Sequence, residues 1–175
     1  VPLDIKVVIT TYEEHHLITH PNILVFKDEI DPSTVVNEAI RIVQGKRNFD
    51  RVVIGVDPGR TFGVAVVADG NVLETVTCSN IEETVNIILK TLDRAPATMY
   101  IIKIGGGAPA YTKELLCLLD EALPRDSIIE IVSETGTSSF ARKAIHRRGA
   151  RDIMSAIKIA ERRGQVFPRR TSNET

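Results

Sequence analysis

The segment 51–77 constrains the fold more than any other part of the chain. Residues 52–56 are a short apolar run rich in β-branched side chains, which predicts a strand buried on both faces in the middle of a sheet. Asp57 follows where this strand should end. Pro58 and Gly59 then predict a turn, because proline cannot donate to a β-ladder and glycine accepts positive φ. The segment therefore places a carboxylate at the tip of a central strand.

A β-hairpin is expected directly after this turn. Residues 63–68 and 72–76 are apolar runs of strand length, and Asp69-Gly70 between them is a two-residue hairpin signal. A buried strand holds the carboxylate at its tip rigidly, which metal or phosphate chemistry requires.

The rest of the chain alternates between helix and strand patterns. Asn80 and Glu83 form a capping pair that opens a helix. The later elements are a strand over 99–104, a helix over 111–123, a strand over 128–132, a basic helical stretch over 138–148 ended by Gly149, and a helix over 151–163. Right-handed crossovers would place the late strands beyond the central one. The prediction is therefore an α/β fold whose mixed sheet has the order 3-2-1-4-5 with helices on both faces.

Three units are expected along the chain. Residues 1–50 form an N-terminal ββα extension, in which Asp31 and Pro32 start the helix and Gly45 ends it. The main domain covers 51–168, and 169–175 form a disordered tail.

The extension contains His15, His16 and His20. Three imidazoles so close together can ligate a metal ion. A polar surface turn is the competing interpretation, since Pro21 lies beside them and most histidines are not ligands.

Charge is unevenly distributed along the chain. The net charge is −1, but residues 142–170 carry ten basic and two acidic side chains, a local charge of +8. Such asymmetry indicates a polyanionic partner, and the alternative is a solvated basic helix face with a basic tail.

Several classes of protein do not fit this composition. No apolar run approaches the roughly 18 residues of a membrane span, so no membrane partner is expected. No signal-peptide pattern is visible at residues 1–4. Cys78 and Cys117 form neither a disulfide framework nor a metal-binding spacing, which favours a cytoplasmic protein.

Three acidic residues are expected at one edge of the sheet. Asp57 and Glu134 each follow a predicted strand, and Asp152 lies in the first turn of the last helix. Ligands bind outside the carboxyl ends of strands in open α/β sheets. The helix dipole alone also explains an acid at the position of Asp152. The glycines at 105–107 fit either a phosphate-binding turn or a simple tight turn.

Four segments resemble the ribonuclease H-like superfamily, most closely the RuvC/YqgF branch of Holliday-junction resolvase-like proteins. They are the Ile-Gly-Val-Asp-Pro-Gly motif at 54–59, the glycine-ended strand at 99–107, the Ser-Glu-Thr-Gly-Thr-Ser segment at 133–138 and the Arg-Asp-Ile-Met-Ser-Ala segment at 151–156. The similarity covers about residues 51–164.

The resemblance implies a metal-dependent nuclease. Asp57, Glu134 and Asp152 would hold two Mg²⁺ or Mn²⁺ ions about 4 Å apart and hydrolyse phosphodiester bonds in branched DNA or RNA. A homodimer is implied because a four-way junction has two-fold symmetry. The residues expected to contact phosphates are Arg142, Lys143, Arg147, Arg148 and Arg151.

The sequence departs from the family pattern at three places. Thr135 replaces the arginine after the strand-tip acid, 103–105 contain no acid at the end of the fourth strand, and Ser155 replaces a second helix aspartate. Two alternatives stay open. One is a non-catalytic ribonuclease H-like module that binds nucleic acid or a protein. The other is a nucleotide-binding domain of the actin and hexokinase kind, because residues 57–61 resemble the phosphate loop of those proteins.

Overall fold

Helices and strands alternate along the chain in a computed structural model that describes residues 2, 4–133 and 148–170. The elements are β1 (Val8–Thr11), a 3₁₀ helix (His15–Leu17), β2 (Ile23–Phe26), α1 (Pro32–Val43), β3 (Phe49–Asp57), β4 (Phe62–Ala68), β5 (Asn71–Cys78), α2 (Ile81–Arg94), β6 (Ala97–Gly105), α3 (Pro109–Ala122), β7 (Ile128–Val132), α4 (Arg148–Glu161) and β8 (Gln165–Val166). None of the helices in these ranges has both the length and the apolarity that crossing a membrane requires.

The main sheet has six strands in the order β5-β4-β3-β6-β7-β8. Strands β3, β6 and β7 are parallel, whereas β4, β5 and β8 run antiparallel to their neighbours. The predicted α/β class with a mixed sheet is therefore confirmed. Because β3, β6 and β7 are parallel, they end at the same edge, which we call the carboxyl edge.

The hairpin between β4 and β5 turns where the sequence predicts it. Asp69 has φ 47° and Gly70 has φ 85°, the left-handed pair that a two-residue hairpin needs. Burial works to raise the pKa of Asp69. Hydrogen bonds from the N–H of Arg51, from Lys46 and from the N–H of Asp50 outweigh it and hold that pKa below its ordinary value.

Local capping signals also hold in the structure. The Asp31 carboxylate accepts a hydrogen bond from the Ser33 N–H at 2.9 Å and starts α1. The Asn80 side chain accepts one from the Glu83 N–H at 2.8 Å and starts α2. Gly45 follows α1 with φ 70°, so these three predictions are confirmed.

The two faces of the main sheet are packed differently. Successive residues of a strand point to opposite faces. One face, the α2/α3 face, is filled by large buried side chains from the strands and from α2 and α3, including Val52, Ile54, Val56, Ile88, Ile102, Ile104, Leu115 and Leu119. The other face, the α4 face, has a small buried apolar cluster of Val53, Ile101 and Ala160.

The N-terminal region forms β1 and β2, which pair in parallel as a separate two-stranded sheet, and then α1. Arg94 of α2 donates hydrogen bonds to the Asp31 carboxylate at 2.7 Å and to the Ser33 hydroxyl at 2.9 Å. Ile40 of α1 packs against the main core. Both contacts attach α1 to the main sheet.

The C-terminal residues fold back onto α3. The Arg169 guanidinium donates to the Asp120 carboxylate at 3.1 Å and to the carbonyl oxygens of Asp120 and Leu123 at 2.8 and 2.9 Å. The last carbonyls of a helix lack intrahelical partners, and a buried carboxylate needs a cation. The prediction of a disordered tail is therefore wrong for Arg169 and Arg170, whereas 171–175 lie outside the described residues.

Helix α4 starts earlier than the sequence predicts. Gly149 does not end a helix but lies inside the first turn of α4, and the nearest atom to a Cβ added there would be Thr77 Oγ1, at 3.4 Å. A glycine costs a helix only about 1 kcal/mol, so packing against the sheet outweighs it. The expectation that Asp152 lies in the first turn is consequently wrong, because that turn contains no acidic residue.

Candidate functional site

Asp57 is the last residue of β3 and lies at the carboxyl edge, half-buried. It is two and four residues from Gly55 and Val53, so all three lie on the same side of the strand, the α4 face. In the antiparallel ladder Asp57 is the register partner of Gly63 in β4. The backbone thus fixes the acid at the point where α4 crosses the sheet.

Gly63 allows α4 to approach the sheet closely. A Cβ atom added at Gly63 would lie 2.1 Å from the carbonyl oxygen of Asp152 and 3.0 Å from its Cβ. Asp152 therefore lies directly over Gly63, whose ladder partner is Asp57. Paired Cα atoms in such a ladder are about 4.5–5.5 Å apart. The structure brings Asp57 and Asp152 together on one face at one edge.

A second glycine, Gly55, allows the middle of α4 to approach the sheet closely. A Cβ atom added at Gly55 would lie 2.1 Å from the carbonyl oxygen of Ala156 and 2.9 Å from Ala160 Cβ. Asp152, Ala156 and Ala160 follow at four-residue spacing, so they share one side of α4. That side faces the sheet, and the Asp152 side chain projects from it.

Thr61 has no role in the nuclease interpretation of the sequence and occurs only in the loop 57–61 of the actin-like alternative. It lies in the turn between β3 and β4, and its hydroxyl donates a hydrogen bond to Asp152 Oδ2 at 2.6 Å. Its neighbour Arg60 lies in the same turn and is exposed. The only signal in the sequence is a hydroxyl and a cation in the turn that follows the strand-tip acid.

The glycine turn after β6 forms another part of the carboxyl edge. The Gly106 N–H donates to the Val132 carbonyl at 3.0 Å, which joins the turn to the end of β7. A groove of about 480 Å³ lies against this turn. Its lining consists of Gly106, Gly107, Ile131, Val132, Ser133, Arg163, Gly164 and Gln165.

A charged pair occupies the α4 face between the site and the amino ends of the strands. Lys103 Nζ lies 3.6 Å from Glu130 Oε2 and donates to the carbonyl of Arg162. Glu130 Oε2 also accepts a hydrogen bond from the Gly164 N–H at 3.1 Å. Strand β6 itself ends at Gly105, so it contributes no carboxylate to the carboxyl edge.

Several predicted site residues lie outside the described residues. They are Glu134, Arg142, Lys143 and Arg147, together with the side chain of Arg148. Arg151 is described, and it is exposed on α4 next to Asp152. Within 2, 4–133 and 148–170, no three His, Cys, Asp or Glu side chains form a group that could hold a metal ion. The third predicted ligand, Glu134, lies outside these ranges.

The three N-terminal histidines make local contacts. His20 Nε2 lies 2.9 Å from the carbonyl oxygen of Ile5, and its Nδ1 accepts a hydrogen bond from the Asn22 N–H at 3.1 Å. His15 Nδ1 contacts the Tyr12 carbonyl at 2.5 Å, and its ring lies 6.1 Å from that of His16. These contacts favour the polar surface turn over the metal site.

Neither models of known protein families nor curated protein sequences match this chain.

Proposed function

We propose that this chain is a Mg²⁺- or Mn²⁺-dependent nuclease of the RuvC/YqgF type that hydrolyses phosphodiester bonds in branched DNA or RNA. The observation that carries the proposal is the meeting of Asp57 and Asp152 at the carboxyl edge, over Gly63. Two acidic residues at one edge attract a divalent cation, because opposite charges stabilise each other.

The strand order supports the proposal. The sheet contains the neighbouring strands β5-β4-β3-β6-β7. If β3 is numbered 1 and the next four strands along the chain are numbered 2 to 5, this order reads 3-2-1-4-5. The first three are antiparallel and the next two are parallel to β3. This is the order that the ribonuclease H-like resemblance implies, and β8 is an addition at the far edge.

The donor atoms suit a hard divalent cation. Mg²⁺ is bound through one or two carboxylates plus waters and substrate phosphates, and Asp57 and Asp152 supply two carboxylates here. Glu134 is the proposed third ligand, since it follows β7, which ends at the same edge. When bound, such an ion activates water and stabilises charge on the phosphoryl group.

The residues of the chain have separate tasks in this proposal. Asp57 holds its position through β3, and Asp152 is presented by α4. Arg60 in the turn after β3 and Arg151 in α4 are both exposed, and in this proposal they would orient the phosphate backbone. The remaining proposed phosphate contacts are Arg142, Lys143, Arg147 and Arg148. The two-fold symmetry of a junction makes a homodimer the proposed assembly.

The end of β6 favours a second candidate, a non-catalytic ribonuclease H-like module that binds nucleic acid or a protein. Gly105 ends β6, and Lys103 is paired with Glu130 inside the α4 face. The site therefore has no carboxylate from this strand. Such a module would bind nucleic acid through its basic end, with affinity that falls with salt and does not depend on metal.

Cleavage assays separate the two candidates. Purified protein is incubated with junction, duplex and RNA substrates in Mg²⁺ or Mn²⁺, and we expect cleavage that Asp57→Asn and Asp152→Asn abolish. Asp126→Asn is the matched control, because Asp126 is an exposed acid just before β7 at the opposite edge. Cleavage by Asp57→Asn at the wild-type rate would contradict the nuclease proposal. Metal-independent, salt-sensitive binding without cleavage would favour the module, and stabilisation by ATP would favour the actin-like alternative.

A further inference from the structure

We infer that Thr61 is a positioning residue that orients the Asp152 carboxylate for cation binding. The inference rests on the proposed metal site, and it assigns to Thr61 a role that the family resemblance does not supply.

The contact itself is short and joins two separate elements. Thr61 Oγ1 donates to Asp152 Oδ2 at 2.6 Å in a partly buried position, which is the distance of a charge-assisted O–H···O⁻ hydrogen bond. Thr61 belongs to the turn after β3, and Asp152 belongs to α4. The hydroxyl thus links the carboxylate of the helix to the turn that begins beside Asp57.

Both ends of the Asp152 side chain are fixed. Gly63 admits the helix so closely that its added Cβ would lie 3.0 Å from Asp152 Cβ, which sets where the side chain starts. Thr61 then holds Oδ2, which restricts the rotation of the carboxylate that would face a cation. Carboxylates that ligate metals are commonly held by such hydrogen bonds, and losing the partner typically weakens metal binding about 10–100-fold.

Helix stability does not explain the position of Asp152. The first turn of α4 contains no acidic residue, and the favourable effect of the helix dipole falls off within that turn. Asp152 is also directed at the sheet rather than at solvent, since it shares a helix side with Ala156 and Ala160. A hydroxyl that orients this carboxylate is consistent with a ligand role.

The test measures Mn²⁺ affinity by calorimetry or electron paramagnetic resonance in three variants. Thr61→Val keeps the shape and removes the donor, so we expect binding about 10–100-fold weaker. Thr61→Ser keeps the donor and should bind as the wild type does. Thr98→Val is the matched control, because Thr98 is exposed near the amino end of β6. Thermal unfolding checks that each variant is folded, and Thr61→Ala replaces Thr61→Val if valine disturbs the turn.

The outcomes distinguish the inference from the proposed function. Equal Mn²⁺ affinity in the wild type and Thr61→Val would overturn the inference while the metal site stands. A loss in Thr61→Ser as large as in Thr61→Val would also overturn it, because the donor would then be irrelevant. A wild-type protein that binds no Mn²⁺ would remove the proposed function and the inference together. In cleavage assays, saturating Mn²⁺ should restore the rate of Thr61→Val but not that of Asp152→Asn.

Discussion

The two faces of the main sheet achieve contact with their helices in opposite ways. On the α2/α3 face, large side chains such as Ile54 and Ile102 are fully buried between strands and helices. On the α4 face, Gly55 and Gly63 let the helix backbone touch the sheet, with Ala156 and Ala160 as the helix counterpart. Large side chains fill the interface on the α2/α3 face, whereas small residues form the interface on the α4 face.

Stability and site geometry come from different faces of the sheet. Burial of apolar area contributes about 25 cal/mol per Å², so the α2/α3 face contributes most of the hydrophobic stabilisation. The small residues of the α4 face bury little side-chain area. Their close contact instead fixes the position of α4, and with it that of Asp152 beside Asp57.

The largest expected effect is a cavity in the α2/α3 face. Ile102 has no exposed surface, so Ile102→Ala should lower the free energy of unfolding by about 2–5 kcal/mol, measured by urea denaturation. Mn²⁺ affinity of the folded protein should not change. Weaker Mn²⁺ binding in a fully folded Ile102→Ala sample would contradict the separation of the two faces.

The charged pair of the α4 face should give the next effect. Lys103→Met leaves Glu130 without its buried cation, which typically costs about 3 kcal/mol. The double variant Lys103→Met with Glu130→Gln should recover much of this loss, because glutamine still accepts the hydrogen bond from the Gly164 N–H. Urea denaturation of the single and double variants measures the coupling, and additive losses would show that the pair is not coupled.

A methyl group at Gly63 should damage the site more than the fold. The added Cβ would meet backbone atoms of Asp152, so α4 must shift, at a cost of about 1–3 kcal/mol in unfolding free energy. Mn²⁺ binding should be lost in Gly63→Ala. The matched control is Gly106→Ala at the same edge, where the nearest atom to an added Cβ lies at 3.5 Å. Retained Mn²⁺ affinity in Gly63→Ala would break the link between close packing and the site.

Acid should weaken the α3 side of the molecule without involving the site. Burial works to raise the pKa of Asp120, but Arg169, the N–H of Arg170 and Arg125 outweigh it and hold that pKa below its ordinary value. A lowered folded-state pKa means that the ionised carboxylate stabilises the fold above the unfolded-state pKa of about 3.9. That stabilisation is lost as the pH falls through the folded-state value.

The corresponding variant gives the smallest expected effect. Asp120→Asn should lower the free energy of unfolding by about 1.5 kcal/mol at pH 7, the low end for hydrogen bonds to charged groups. In urea denaturation from pH 7 to pH 2, the free energy of unfolding should decrease less in this variant than in the wild type. If the free energy of unfolding decreases with falling pH as much in the variant as in the wild type, the pH dependence belongs to other carboxylates.

Local sequence signals predicted much of the fold. Asp69-Gly70, the caps Asp31 and Asn80, and the apolar run of β7 were placed correctly because each depends on neighbours in the sequence. Strand β8 escaped prediction because two residues, Gln165 and Val166, carry no periodic pattern. It exists through its pairing with β7.

The site was predicted only in part. Asp57 is recognisable because an acid after a buried strand is a local feature. The early start of α4, which moved Asp152 out of the first turn, depends on packing against the sheet. Thr61 could not be assigned, since a hydroxyl in a turn acquires a role only through the residue that it meets in space.

Side-chain periodicity and local hydrogen bonding are enough to predict the strands other than β8, the hairpin, the helix caps and the acid at the tip of β3. The place of Asp152 over Gly63 and the hydrogen bond from Thr61 to its carboxylate depend on tertiary packing. The crossing of a helix over a sheet is set by the closest approach of two backbones. That distance depends on pairs of small residues far apart in the chain, which no local pattern reveals.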